Sequence, residues 1–301
     1  MAMAGHVPTP EEILRLDEPG ADALLDRLER TVPVHPPFVR IPTTSLREAI
    51  VFGDTHGDWR SVLEIERRFL AGGVRRLLVG LGDYVDRSPP DCGEGSVASA
   101  LHLLSLAAQA PDRVFLIQGN HETTRRIPTL PHDLPEEVDS LWGPEATRCT
   151  RIEALLERGP LAAVLPEGVY LAHAGFPLVG SKEEWDRAFD ALDDTQLAAL
   201  VWAECDASRY RRGAAPTWGG RDLERLLRAT GVRVFLRGHD PDLTGRPLYD
   251  GRCLTLHTTR IYERFGGVLV ARFPLGRPIE SIRDMLLEHL PTEGQTFEPV
   301  V

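Results

Sequence analysis

Short apolar runs recur along this chain, and most of them stop abruptly at a polar cluster. Ala49–Gly53 (AIVFG), Arg75–Gly82 (RRLLVGLG) and Val114–Gln118 (VFLIQ) have the length and composition of buried strands. Between them, Asp58–Ala71 puts Trp59, Val62, Ile65 and Phe69 on one side of a helix that Gly72-Gly73 stop. Val97–Ala108 is a second helix, ended by Pro111. Strand, helix, strand, helix, strand in succession predicts a layered α/β core with right-handed crossovers. Further strands are expected at Val169–Ala172, Val232–Leu236, Leu254–Leu256 and Val268–Phe273, with helices over 146–158, 183–200 and 220–229. Ile13, Leu14, Leu24, Leu25 and Leu28 make 10–30 helical, interrupted at Pro19-Gly20. Four prolines make 32–42 an extended linker, and Ile279, Ile282, Met285 and Leu286 suggest a last amphipathic helix before a frayed tail.

The polar clusters carry the chemistry. AIVF runs into Gly53-Asp54-Thr55-His56-Gly57-Asp58, and RLLVGL into Gly82-Asp83-Tyr84-Val85-Asp86-Arg87. VFLIQ runs into Gly119-Asn120-His121-Glu122, VYLA into His173-Ala174-Gly175, and VFL into Arg237-Gly238-His239-Asp240. Ligands of open α/β sheets sit beyond the carboxyl ends of the strands. Strands that each deliver Asp, Asn or His to that edge converge on one site. Any fragment alone is an ordinary turn; the ordered set is what departs from chance. Asp54, His56, Asp83, Asn120, His173 and His239 offer oxygen and imidazole donors and no thiolate, a set suited to Mn, Fe, Zn or Co. That is more than one catalytic metal needs, and two metals sharing a bridging carboxylate use it fully. Gly53, Gly82 and Gly119 stand at tight strand exits. His257 in TLHTTR is a further candidate near the site, whereas His6, His35, His102, His132 and His289 read as structural or solvent-facing. Glu122 is expected to form a structural ion pair.

Composition narrows the classes. The 301 residues are 42% hydrophobic and 26% charged, an ordinary soluble balance. With 34 basic and 45 acidic residues the net charge is −11, which disfavours binding to a nucleic-acid duplex. No apolar run approaches the ~20 residues of a membrane helix. The N-terminal MAMAGHVPTP lacks a basic segment followed by an apolar core, so no secretory leader is expected. Cys92, Cys149, Cys205 and Cys253 form no CxxC pair; buried, idle thiols and a cytoplasmic location are the expectation.

The order GDTHGDW, GDYVDR, GNHE, HAG and RGH resembles the calcineurin-like metallophosphoesterases, most of all their phosphoprotein phosphatase branch (the Ser/Thr protein phosphatases), with His-Ala-Gly similar to the bacterial version. These motifs run from residue 53 to 239, with a weaker match to 262. The resemblance implies a four-layer αββα fold, a two-sheet sandwich flanked by helices. On this reading 1–47 is an N-terminal helical segment and Pro-rich linker, 48–275 the metallophosphoesterase domain, and 276–301 a C-terminal helix and tail. The resemblance also implies two divalent ions, manganese favoured. Asp54 and His56 would hold the first, Asp83 would bridge, and Asn120, His173 and His239 would hold the second. His121 and Asp86 match the pair that protonates the leaving group, and Arg87 an arginine that grips phosphoryl oxygens, with Asn120 a further phosphate contact. Arg212, in Arg212-Gly213-Ala-Ala-Pro-Thr217-Trp218-Gly219, matches a second phosphate-binding arginine, with Arg211 and Arg221 as neighbouring competitors. Tyr262 lines up with a site tyrosine.

Three departures touch the substrate groove: Ser88 and Ala174 stand where the branch usually has Gly, and TTRIY replaces a proline-containing loop. The implied activity is metal-assisted hydrolysis of phosphomonoesters on a phosphoprotein or small phosphoester. The alternatives are a dinucleoside polyphosphate hydrolase and a non-catalytic scaffold of the same fold.

Overall fold

In the computed structural model, residues 6–73, 75–179, 181–190, 192–210 and 215–291 are described. The strands are β1 (Phe38–Arg40), β2 (Glu48–Phe52), β3 (Arg76–Gly80), β4 (Val114–Leu116), β5 (Ala162–Leu165), β6 (Val169–Ala172), β7 (Glu204–Cys205), β8 (Thr217–Trp218), β9 (Val234–Arg237), β10 (Cys253–Thr255), β11 (Leu269–Pro274) and β12 (Leu286–His289). The helices are α1 (Pro10–Ile13), α2 (Glu18–Thr31), α3 (Trp59–Leu70), α4 (Gly95–Gln109), α5 (Leu134–Trp142), α6 (Ala146–Leu156), α7 (Lys182–Ala188), α8 (Asp194–Val201) and α9 (Gly220–Thr230). Two five-stranded sheets form, in the orders β1-β5-β6-β9-β10 and β12-β11-β2-β3-β4, and β7 pairs with β8.

The central strands read as continuous apolar runs because both of their faces are covered. Along β2, Ala49 and Val51 point into the core shared by the sheets, while Ile50 and Phe52 point to the core under α2–α6. Along β6 and β9, Val169, Leu171, Val234 and Leu236 join that shared core. Tyr170 and Phe235 pack instead with Trp185 and Trp218 beneath α7–α9. Period-two alternation with apolar residues at every step thus gives helix, sheet, sheet, helix, the four layers expected. Parallel register of β2–β3 (Phe52↔Gly80) and β3–β4 (Gly80↔Leu116) brings three polar clusters to one edge. Parallel β6–β9 and β9–β10 do the same in the other sheet.

Several local expectations change. The interruption at Pro19-Gly20 is the first turn of α2, where Asp17 caps the Gly20 N–H at 3.0 Å. The proline-rich stretch supplies β1, paired with β5. The run 183–200 is two helices, because the capping box of Asp193 and Gln196 restarts the chain after Phe189. The last amphipathic helix does not form. Ile282–Asp284 is a single 3₁₀ turn, and Leu286–His289 adds to the free edge of β11 as an antiparallel strand. There Glu288 meets Arg68 and Arg272 at 2.7 and 2.9 Å, while Ile279, Ile282 and Met285 still reach the shared core. An exposed sheet edge gains more from pairing than from a short helix laid beside it. All four cysteines are free and buried.

Candidate active site

The two sheets meet at the edge where their polar clusters lie. Just past β2, Asp54 forms an isolated parallel bridge with His257, just past β10; the Thr258 N–H donates to the Asp54 carbonyl at 2.9 Å. Space here is tight. A methyl group on Gly238 would lie 2.1 Å from Asp54 Oδ1, and one on Gly119 would lie 2.2 Å from Asp83 Oδ1. The chain turns sharply to present these side chains. His56, Asp83, Asp86, Arg87 and His239 all have positive φ (45° to 74°), five of the eight non-glycine residues that do so among the described residues. Such backbone is costly and clusters at functional sites.

The six proposed donors converge, all buried. His173 Nε2 lies 3.0 Å from Asn120 Oδ1, 3.2 Å from His239 Nδ1 and 3.4 Å from Asp83 Oδ2. His239 Nδ1 lies 3.1 Å from Asn120 Oδ1. On the other side of Asp83, His56 Nε2 stands 3.8 Å from Asp83 Oδ2 and 3.9 Å from Asp54 Oδ2. Two donor clusters therefore share Asp83: His56, Asp83 and His121, and Asp83, His173 and His239.

The chemistry of these donors fits cations. His56 Nδ1 faces the Val85 carbonyl at 3.1 Å, and His173 Nδ1 the Leu81 carbonyl at 2.9 Å. A carbonyl only accepts, so both Nδ1 atoms carry the proton and both neutral rings turn an Nε2 lone pair inward. Lone pairs and carboxylates packed at 3.0–3.4 Å repel one another unless positive charge lies among them. Ligands about one ion with bonds of ~2.0–2.2 Å are separated by roughly this amount. Where no ion sits, the same carboxylates would draw a proton instead: burial opposes charge on His173, but Asp83 and Asp54 overcome it and hold its pKa up at about 9, so the neutral ring is the form a bound cation selects. Burial pushes His56 down to about 3, which keeps it a neutral donor.

Beside the donors, His121 Nδ1 is 2.5 Å from Asp86 Oδ2. Asp86 Oδ1 accepts the N–H groups of Asp133 and Leu134, so the carboxylate is held from behind. Arg87 Nη1 donates to the Tyr262 hydroxyl at 2.8 Å, and the Tyr262 ring stands edge-on to His56 and His257. Burial works against the Arg87 charge, but Tyr262, Asp83 and Asp54 raise its pKa. Arg212 and its competitor Arg211 lie outside the described residues; Arg221 is an exposed residue of α9. Among the described residues Glu122 makes no ion pair of the kind expected. It accepts the backbone N–H groups of Asp83, Tyr84 and Gly119 at 2.7–2.8 Å and so locks two ligand loops together. Burial, with Asp83 adding, raises its pKa to about 7.

Two histidines gain weight. His132 takes the structural one of its two expected roles, reaching Asp86 at 3.4 Å and Glu153 at 3.1 Å. His257 is wholly buried, with Nε2 at 3.1 Å from Asp54 Oδ2. The available clue was its place directly after an apolar strand, as with the other ligands.

A strained strand-end cluster of His, Asp and Asn on a two-sheet sandwich defines a class of phosphoester-cleaving metalloproteins. The family model described as calcineurin-like phosphoesterase matches residues 49–243. The chain belongs to the calcineurin-like phosphoesterases. It is 31% identical over 224 residues to the serine/threonine-protein phosphatase PP2A-like PPG1 of Candida albicans, covering 70% of this chain and 51% of that protein. It is 28% identical to the serine/threonine-protein phosphatase 4 catalytic subunit of Saccharomyces cerevisiae, covering 70% of this chain and 69% of that one. The chain spans about half the length of the first curated relatives it matches (49% and 51%). Among solved structures, a protein serine/threonine phosphatase from Saccharomyces cerevisiae with similarity to human phosphatase PP5 superposes with a TM-score of 0.72 at 21% identity, covering 93% of this chain and 91% of that one.

Proposed function

We propose that this protein is a two-metal phosphatase that hydrolyses phosphomonoesters, with phosphoserine and phosphothreonine side chains of proteins as its substrates. The observation that carries this reading is the grouping beside one donor cluster of an arginine held by a tyrosine (Arg87 and Tyr262, 2.8 Å) and a histidine held by a carboxylate (His121 and Asp86, 2.5 Å). The protein phosphatases among its relatives support the same substrate class.

Asp54, His56, Asp83, Asn120, His173 and His239 would hold the two ions. When bound, such ions polarise the phosphoryl group and make water a competent nucleophile at neutral pH. Arg87 supplies a fixed charge for the phosphoryl oxygens, and Tyr262 sets its direction. Arg212 is proposed for the same task from its sequence context alone, and Asn120 contacts phosphate as well as metal. His121 gives its proton to the departing alkoxide, and Asp86 fixes the ring's orientation and tautomer. Manganese is the proposed ion because the donors are oxygen and imidazole without thiolate. The proposed setting is the cytoplasm, in keeping with four free buried thiols.

The deciding experiment compares turnover of a phosphoserine peptide, p-nitrophenyl phosphate and diadenosine tetraphosphate. Protein is stripped with chelator and then given manganese. The expected result is manganese-dependent release of phosphate from the first two. Turnover of the dinucleotide alone would make the protein a nucleotide hydrolase. No turnover with both ions bound would leave a scaffold.

A further inference from the structure

We propose that His257 is a metal ligand of the first site, completing a set with Asp54, His56 and Asp83. The inference rests on the two-ion reading above and adds a donor that the motif pattern does not contain. His257 is buried at the end of β10, where the Asp54–His257 bridge joins the two sheets.

Its tautomer follows from its neighbours. His257 Nδ1 lies 2.9 Å from Thr244 Oγ1, and that hydroxyl donates to the Pro241 carbonyl at 2.7 Å. A hydroxyl has one hydrogen, and the carbonyl takes it. Thr244 Oγ1 must therefore accept, and His257 Nδ1 must carry the ring proton. Nε2 of the neutral ring then presents a lone pair to Asp54 Oδ2 at 3.1 Å. The contact lacks hydrogen-bonding geometry, and among the described residues the buried Nε2 has no hydrogen-bond partner. Asp54 already accepts the His239 N–H through the same carboxylate. Thus a lone pair and a carboxylate oxygen stand side by side at the separation of two ligands on one ion, on the same carboxylate that His56 faces from 3.9 Å. The Tyr262 ring lies edge-on to both histidines, at 5.6 Å from His56 and 5.1 Å from His257, so both imidazoles border the same ring.

The other reading of the same contact is an imidazolium paired with Asp54, needing no ion. Cadmium separates the two. Full-length protein labelled with ¹⁵N-histidine is stripped and titrated with ¹¹³Cd²⁺ alone. The expected result is cadmium–nitrogen coupling at His56, His173, His239 and His257, with the His257 resonance assigned by its loss in His257→Phe. Coupling at the first three with none at His257 overturns the proposal and leaves a structural ion pair. Coupling at none of them overturns the two-ion reading itself. Absence of phosphatase turnover in the loaded enzyme leaves the coupling pattern untouched, so the two failures are distinguishable. In parallel, manganese binding is followed by electron paramagnetic resonance. Losing a direct ligand should weaken one ion by at least the ~100-fold that outer-shell changes reach. His257→Phe is expected to show that loss at one ion only, with His257→Gln, which keeps an oxygen donor, in between. Wild-type affinity for both ions in His257→Phe overturns the proposal. If neither variant folds, the His257 ring is assigned in uniformly ¹³C,¹⁵N-labelled wild type by through-bond correlation to its backbone, and its coupling to cadmium decides.

Discussion

Asp86→Asn isolates the contact that orients the proposed acid. In the native protein Oδ1 of Asp86 accepts two backbone N–H groups at 2.7 and 3.0 Å, and Oδ2 accepts His121 Nδ1 at 2.5 Å. The backbone donors need an oxygen, so the new amide keeps its oxygen with them and turns its NH₂ toward His121. Donor then faces donor, and His121 must offer a lone pair at Nδ1. The proton left on Nε2 belongs to a neutral imidazole, which releases it far less readily than an imidazolium. Losing a charge-assisted hydrogen bond costs about 1.5–3 kcal/mol, or about 10–100-fold in rate. The wrong tautomer extends the loss toward the full worth of a general acid, about 10²–10⁴-fold, or about 2.7–5.5 kcal/mol. The assay is kcat of metal-loaded protein on a phosphoserine peptide and on p-nitrophenyl phosphate, with metal content measured alongside. The loss should be smaller on the nitrophenyl ester, whose leaving group departs without a proton. The double variant Asp86→Asn/His121→Asn should be no slower than the worse single one. Native kcat on the peptide, or equal losses on both substrates, would refute the reasoning. Loss of an ion in His121→Asn would place His121 among the ligands, as its grouping with His56 and Asp83 permits.

Three further outcomes are expected. Asp58→Ala removes from the buried Arg260 guanidinium the carboxylate it meets at 2.8 Å but leaves it Asp91 at 2.7 Å, and should cost about 1.5–3 kcal/mol in urea unfolding; Asp58→Leu with Arg260→Met should cost less than either single change. Gly119→Ala places a methyl group 2.2 Å from Asp83 Oδ1, so both ions should bind more weakly by calorimetry while circular dichroism stays native. His132 is raised to about 9 by hydrogen bonds to Asp86 and Glu153, above its ordinary value of ~6.5. A raised value in the folded state stabilises fully below the ordinary pKa and is lost as pH rises through about 9. The Tm advantage of wild type over His132→Gln should therefore be largest near about pH 6 and shrink by about pH 10; an advantage that grows with pH would refute the assignment.

What could be read from the sequence was local, and what could not was set by distant partners. The ligand loops are legible because each is written in one stretch: an apolar strand, a glycine, then Asp, Asn or His. The four layers are legible because Ala49–Phe52 of β2, all of β6 and residues 234–236 of β9 are apolar at successive positions, which requires cover on both faces. β1 and β12 hide because their sequences say little; the edges of β5 and β11 recruit them. The helical spacing of Ile279, Ile282, Met285 and Leu286 runs into the strand at Leu286–His289, and tertiary pairing overrides it. Arg87 and Tyr262 are 175 positions apart, so their bond is invisible until the sheets are assembled. His132 reads as a bland polar residue because Asp86, its partner, lies on another loop.

The same assembly explains why the site can exist at all. Five positive-φ residues among the loops, at roughly 1–3 kcal/mol each, sum to an amount like the ~5–15 kcal/mol net stability of a whole protein. Loops alone could not hold that strain together with buried carboxylates facing imidazole lone pairs. The two sheets can, because each strand that ends at the site is clamped on both faces by a separate core and tied laterally by its register. Glu122 and the Asp54–His257 bridge then fasten loop to loop and sheet to sheet at the edge itself. The sandwich is therefore the source of the site's preorganisation: its cores hold lone pairs and negative oxygens closer than they would settle unaided, and that enforced proximity is what makes the edge attract cations.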